Sequence, residues 1–275
     1  MNNLLRKVNE ASEYILNKTG RNPKVGLILG SGLGDLADQI TKGISIDYKD
    51  IPNFPTSTVE GHAGKLVIGM LEGKEVIAMK GRFHYYEGYS MQQVTFPVRV
   101  MKELGVELII VTNACGGLNP HFHAGALMII NDHINFTGDN PLVGKNEKSF
   151  GPRFPDMSNA YDSSLVKLAH KVGEKLGVQT FEGVYLSISG PNYLAKAELT
   201  MVRRLGADTI GMSTVPEVIV ASHAGIKVIG ISCVTDMAIP DQLHSVSHEQ
   251  VMEMASQTKP KFIKLVKGIL NEVQL

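Results

Sequence analysis

Nine consecutive residues, Gly81-Arg82-Phe83-His84-Tyr85-Tyr86-Glu87-Gly88-Tyr89, crowd a guanidinium, an imidazole and three phenols into one stretch. Arginine offers a rigid fork of donors for phosphate oxygens, and histidine donates to the same anion or changes protonation near neutrality. Aromatic rings beside that pair suit a sugar or base lying next to a phosphate, a reading favoured over a solvated loop with aromatic packing. A second segment, readable equally as an anion site or a plain glycine-rich turn, comes earlier, where the apolar run Val25–Leu29 leads into Gly30-Ser31-Gly32-Leu33-Gly34. Such a turn exposes backbone N–H groups and a hydroxyl. It is not a dinucleotide fingerprint, because Asp35 stands where the third glycine is required, and Gly64-Lys65-Leu66 lacks the Ser or Thr of a P-loop.

Two further segments end apolar runs in small and polar residues: Val111-Thr112-Asn113-Ala114-Cys115-Gly116-Gly117 and Gly211-Met212-Ser213-Thr214-Val215-Pro216-Glu217. Each by itself reads equally as a turn. Together they put Ser31, Asn113 and Ser213 at strand ends, the edge where open α/β sheets bind ligands. His62 lies between Gly61 and Gly64, a flexible tip able to close over a ligand, and His248 stands at a predicted helix start. Local spacing leaves both equally readable as exposed histidines. His121 and His123 read as surface, with no Asp or Cys at metal-ligand spacing, so no metal site is expected. The glycines flanking Ser31 do not make a Gly-x-Ser-x-Gly nucleophile elbow.

The elements that must position these residues alternate. Val25–Leu29, Lys65–Leu71, Glu75–Lys80, Glu107–Thr112, Ala126–Ile130, Gly183–Ser189 and Lys227–Val234 are predicted strands, with helical patterns between them. Leu104-Gly105, Leu176-Gly177, Leu205-Gly206 and Ala224-Gly225 each close a helical pattern before an apolar run, a helix-to-strand junction. Glu72-Gly73 reads as the turn of an antiparallel hairpin. The expected fold is α/β: one domain over residues 1–275, with a central mixed β-sheet flanked by helices. Asn135–Asn159, with three prolines and no clear period, is the longest irregular stretch, and such stretches often serve a site or a neighbouring subunit.

Composition narrows the partners. Over 275 residues, 27 Lys and Arg balance 27 Asp and Glu, which gives no electrostatic reason to expect nucleic acid or an anionic membrane. No run approaches the roughly 18 apolar residues of a membrane span. Met1–Leu16 reads as an amphipathic helix rather than a signal peptide. The two cysteines, Cys115 and Cys233, suit reduced thiols in a cytoplasmic protein.

Taken in order, Gly30–Gly34, Ser57-Thr-Val-Glu-Gly-His62-Ala-Gly64, Gly81-Arg-Phe-His84 with Tyr86-Glu-Gly88-Tyr89, Val111-Thr-Asn-Ala114 and Gly211-Met-Ser-Thr-Val-Pro-Glu217 resemble the trimeric, low-molecular-mass purine nucleoside phosphorylases. The resemblance spans nearly the whole chain. It implies reversible phosphorolysis of purine (deoxy)nucleosides to free base and (deoxy)ribose 1-phosphate, with inorganic phosphate as co-substrate, no cofactor, and a homotrimer as the working form. It further implies that Ser31, Arg82, His84, the Ala114 backbone N–H and Ser213 hold phosphate, with His62 on a gating loop. Tyr86, Met212 and His248 would line the ribose, His248 meeting the 5′-hydroxyl. Phe154 would reach into the adjoining subunit's site, and Tyr193 would pack against the base. Ser31, His84 and Asp236 are the expected catalytic groups, and Leu194 and Thr235 complete the nucleoside-binding set.

Two positions depart from the family pattern. Leu194 stands where the family usually has a Glu that binds the 6-oxopurine edge, and Asp236 follows Thr235 where the family usually has an Asn. Leu cannot accept N1–H or 2-amino protons of guanine. An ionised Asp236 accepts from a 6-amino group and repels a 6-oxo oxygen, whereas a protonated one donates to N7. Relaxed specificity or a gain of adenosine-type activity is therefore expected. The related methylthioadenosine phosphorylases are the second assignment. A nucleoside hydrolase and a non-catalytic nucleotide-binding module are the readings from other classes.

Overall fold

A computed structural model of the chain describes residues 3–58, 63–240 and 247–275. His62, placed on a gating loop by the resemblance, lies outside the described residues.

The amino-terminal half is built on β1 (Val25–Leu29), β2 (Thr41–Asp47), β3 (Lys65–Leu71) and β4 (Lys74–Lys80). The helix α1 (Asn3–Thr19) buries Val8, Ala11 and Ile15 from one face, as its apolar spacing requires. β3 and β4 form the expected antiparallel hairpin, turning at Glu72-Gly73 with φ of 48° and 76°. Positive φ at both turn residues matches the right-handed twist of the flanking strands. Two short helices, α2 (Met91–Val94) and α3 (Phe96–Glu103), then lead to β5 (Leu108–Gly117).

The second half contributes β6 (Leu127–Asn135), α4 (Ser163–Leu176), β7 (Thr180–Ser187), α5 (Lys196–Arg204), β8 (Thr209–Gly211), α6 (Val215–His223), β9 (Lys227–Met237) and α7 (His248–Glu272). The strands join in the order β2-β3-β4-β1-β5-β8-β7-β6-β9, and β5 also pairs with β9. That extra pairing closes β5, β9, β6, β7 and β8 into a ring, with the remaining strands a wing on β1. Pairing is mixed: β1–β4, β1–β5, β5–β9, β6–β7 and β7–β8 are parallel, and β2–β3, β3–β4, β5–β8 and β6–β9 are antiparallel. The α/β class and mixed sheet expected from the sequence are therefore observed.

Several strands outrun their predicted ends. β5 continues through Asn113–Gly117, where the small residues had read equally as a turn, because β8 and β9 both pair with its last residues. β9 likewise extends to Met237, carrying Thr235 and Asp236 on the strand itself. β2 and β8 were not anticipated: β2 is a largely exposed edge strand and β8 only three residues long, so neither has the apolar run that marks a strand. Between β6 and α4, no described residue lies in a helix or strand, which matches the irregular stretch expected at 135–159.

Candidate active site

The carboxyl ends of β1, β4, β5 and β9 converge on a cavity of about 420 Å³, with the loops after β7 and β8 forming its far wall. Ser31, Arg82, His84, Tyr86, Ala114, Tyr193, Leu194, Met212, Ser213, Thr235, Asp236 and His248, all expected site residues, line it. Phe154 does not. It stands 87 % exposed on the irregular segment, with the Arg153 guanidinium 5.7 Å above its ring.

At one end the cavity is built for an anion. Arg82, 1 % exposed, donates from Nη1 to Ser213 Oγ at 2.8 Å and to Thr214 Oγ1 at 3.3 Å. Its Nε lies 3.2 Å from Oε1 of Glu217, a side chain 4 % exposed on the first turn of α6. Asn113 fixes the same cluster from β5 by donating from Nδ2 to Thr214 Oγ1 at 2.9 Å. Thr214 is held at φ 74° and ψ −57°, with Val215 N–H donating to Ser213 O at 2.8 Å. This γ-turn is strained for a β-branched residue, and the three surrounding side chains hold it there.

His84 is oriented by Glu87. The Glu87 Oε1 accepts from the His84 backbone N–H at 2.7 Å and lies 3.1 Å from its Nδ1, while Oε2 accepts from the Thr58 N–H at 2.9 Å and its hydroxyl at 2.6 Å. Burial pushes the Glu87 carboxyl up, but these hydrogen bonds outweigh it and hold the group at about 2, fully ionised at neutrality. Burial, aided by the Arg82 charge, pulls His84 below the ordinary histidine value against the pull of Glu87. The Tyr86 ring stacks on His84 at 4.7 Å and 15°, and burial raises its hydroxyl to about 12.

The other end is apolar, walled by Ile188, Leu194, Leu199, Ile210 and Ala238, with Asp236 the one carboxyl among the described lining residues. Thr235 Oγ1 lies 3.1 Å from Asp236 Oδ1 and 3.2 Å from the Cys115 carbonyl, so its single proton serves one of them at a time. Burial raises the Asp236 carboxyl above the usual range, and the Thr235 contact opposes it only in part. Among the described residues no three His, Cys, Asp or Glu side chains converge as a metal-ligand set.

Glu87, Thr214 and Glu217 are the site residues that local sequence reasoning did not single out. Glu87 was signalled by its spacing of three from His84, and Glu217 by its place in the first turn after Pro216. The position of Gly30 also depends on contact between strands. A Cβ there would lie 2.8 Å from Asn113 Cα and 2.9 Å from Thr112 O, both backbone atoms that cannot rotate away. Gly30→Ala should therefore push the Ser31 turn off β5, weakening anion binding at this end severalfold and costing about 1–3 kcal/mol in chemical denaturation.

The Phosphorylase superfamily profile matches residues 24–271. Purine nucleoside phosphorylase 1 of Bacillus subtilis is 56 % identical over 98 % of this chain and 99 % of its own length. The Bos taurus purine nucleoside phosphorylase is 48 % identical over 96 % of this chain and 94 % of its own. Among solved structures, isoform 2 of the Schistosoma mansoni enzyme, in complex with cytosine and ribose-1-phosphate, superposes with a TM-score of 0.95 at 43 % identity, covering 98 % of this chain and 97 % of that one. A Schistosoma mansoni enzyme in complex with adenosine gives 0.94 at 42 % identity over 98 % of both chains. Matches of this extent, on a cavity that pairs an arginine-centred anion end with an apolar end, place the chain in the phosphorylase superfamily, among the purine nucleoside phosphorylases.

Proposed function

We propose that the chain catalyses phosphorolysis of purine nucleosides, with inorganic phosphate as co-substrate and no cofactor. The observation that carries this is the single cavity in which Arg82, Ser213, Ser31 and His84 stand at one end and Asp236 at the other. Phosphate held at the first end faces C1′ of a sugar lying along Tyr86, Met212 and His248. The C1′–N9 bond breaks as a phosphate oxygen bonds to C1′, so no protein nucleophile is required. The sugar becomes cationic beside the bound anion while the departing purine gains negative charge, and donors aimed at that charge lower the barrier. Alignment of phosphate with C1′ supplies much of the remainder.

At the base end Asp236, when protonated, donates to N7, its second oxygen accepting from a 6-amino group, and burial shifts the carboxyl toward that form. Leu194 offers nothing to N1–H or a 2-amino group. We therefore assign the chain adenosine-type activity besides, or above, the 6-oxopurine nucleosides. The exposed Phe154 supports a homotrimer in which it reaches a neighbouring copy's cavity, the whole chain acting as one domain.

The test is product analysis with inosine, guanosine and adenosine. Pentose 1-phosphate should appear in equal amount to free base, and omitting phosphate should slow base release by ~100-fold or more. Undiminished base release without phosphate would establish a hydrolase instead.

A further inference from the structure

The phosphate end carries more buried negative charge than an anion site needs. Arg82 is the one fixed cation among the described lining residues. Glu217 contacts its Nε at 3.2 Å, and both side chains are sealed from solvent. Among the described residues neither oxygen of Glu217 accepts a hydrogen bond, and Arg82 is the one fixed cation set against its charge. Glu87, its side chain 2 % exposed, adds a second carboxylate, kept ionised by Thr58 and the His84 backbone. With His84 neutral, one cation faces two carboxylates among the described residues.

The other described groups do not redress the balance. Tyr86 stacks on His84 as a neutral phenol. Tyr48 and Tyr185, buried hydroxyls that face Arg82, and Tyr161, which faces Glu217, are kept neutral by burial. Ser213 and Thr214 bring hydroxyls only. Adding a phosphate dianion to this end would pile like charge into a poorly solvated space.

We propose that Glu217 sets the charge balance of the phosphate end, so that inorganic phosphate is bound together with one proton, as its monoanion or as the dianion beside a protonated His84. The inference rests on the function proposed above. Above neutrality free phosphate is mainly the dianion, and the proton that accompanies it comes from buffer. Glu217 thereby makes the burial of Arg82 tolerable in the empty site and makes phosphate capture proton-linked.

Isothermal titration with inorganic phosphate, repeated in buffers of different ionisation heat, counts that proton. At about pH 8 the wild-type chain should take up about one proton per phosphate, falling toward zero at about pH 6, where free phosphate is already monoanionic. In E217Q the site gains one unit of charge, and the uptake at about pH 8 should fall to less than about half. A buffer-independent heat in the wild type at about pH 8, or an unchanged uptake in E217Q, overturns the proposal. If E217Q does not fold, the wild-type titrations decide the proton coupling unaided. Phosphate-dependent cleavage with no proton uptake sinks this inference alone, whereas absence of both phosphate binding and phosphate-dependent cleavage sinks the proposed function with it.

Discussion

Arg82→Met should abolish turnover in practice, lowering kcat/KM for phosphate by about 10³-fold or more while leaving nucleoside binding nearly intact. The magnitude follows from what is removed. Deleting a single pre-aimed donor at an anionic centre costs roughly 10²–10³ in rate. Here the loss is a charged donor set, fixed by Ser213, Thr214 and Glu217, in a space with little water to substitute for it. Lysine should not rescue, because a single ammonium cannot serve Glu217, the Ser213 and Thr214 hydroxyls and phosphate at once. Stability offers a control. Arg82→Met alone strands the Glu217 carboxylate in the core, which costs about 3–5 kcal/mol if it stays charged. Adding Glu217→Gln should recover much of the lost Tm without recovering activity. Steady-state kinetics with varied phosphate and thermal unfolding of the three variants check both halves. Retention of phosphate KM in Arg82→Met would remove this residue from the site.

That experiment also bears on how much of the molecule was legible beforehand. Arg82 and His84 were readable because a guanidinium and an imidazole beside phenols suit an anion next to an aromatic ligand, while the other reading of the run, a loop with aromatic packing, holds for Phe83 and Tyr89, whose rings meet edge to face at 6.0 Å. Strands with long apolar runs, such as Val25–Leu29, were equally plain, and so were the junction glycines: Gly105, Gly177, Gly206 and Gly225 all have positive φ. The supporting residues were not. Glu217 and Arg82 are 135 positions apart, and only the packing of α6 against the β4 end brings them to 3.2 Å. Thr214 reads as an ordinary helix-start residue, its γ-turn being imposed by Arg82, Asn113 and Ser213 from three different segments. Short strands fail for a related reason. β8 is held by Gly116 and Gly117 on one side and Tyr185–Ser187 on the other, so its three residues owe their conformation to neighbours and not to their own pattern. The closed ring of β5 through β9 could not be read at all, since nothing local distinguishes a strand with two partners from one with three.

The second large effect is expected at the opposite end of the cavity. Asp236→Asn should shift the ratio of kcat/KM for inosine to that for adenosine by ~10² in favour of inosine, by raising the first and lowering the second. An inosine base presents two acceptors, O6 and N7, to position 236. An ionised carboxylate repels both, and a protonated one satisfies only one, leaving a buried acceptor unpaired. Asparagine has two N–H donors and bridges the pair. For adenosine the amide still donates to N7 and accepts from the 6-amino group, yet it cannot hand a proton to N7 as the base departs. The carboxylic acid can, and burial favours that protonated form. The adenosine reaction should therefore lose kcat more than KM, whereas inosine should gain chiefly in KM. Leu194→Glu placed on Asp236→Asn should extend the shift to guanosine, by giving its N1–H and 2-amino protons an acceptor where Leu194 now offers methyl groups. Progress curves for the three nucleosides at saturating phosphate measure all of this, and a wild-type chain already strict for 6-oxopurines, with its preference untouched by Asp236→Asn, would show that Asp236 does not read the base.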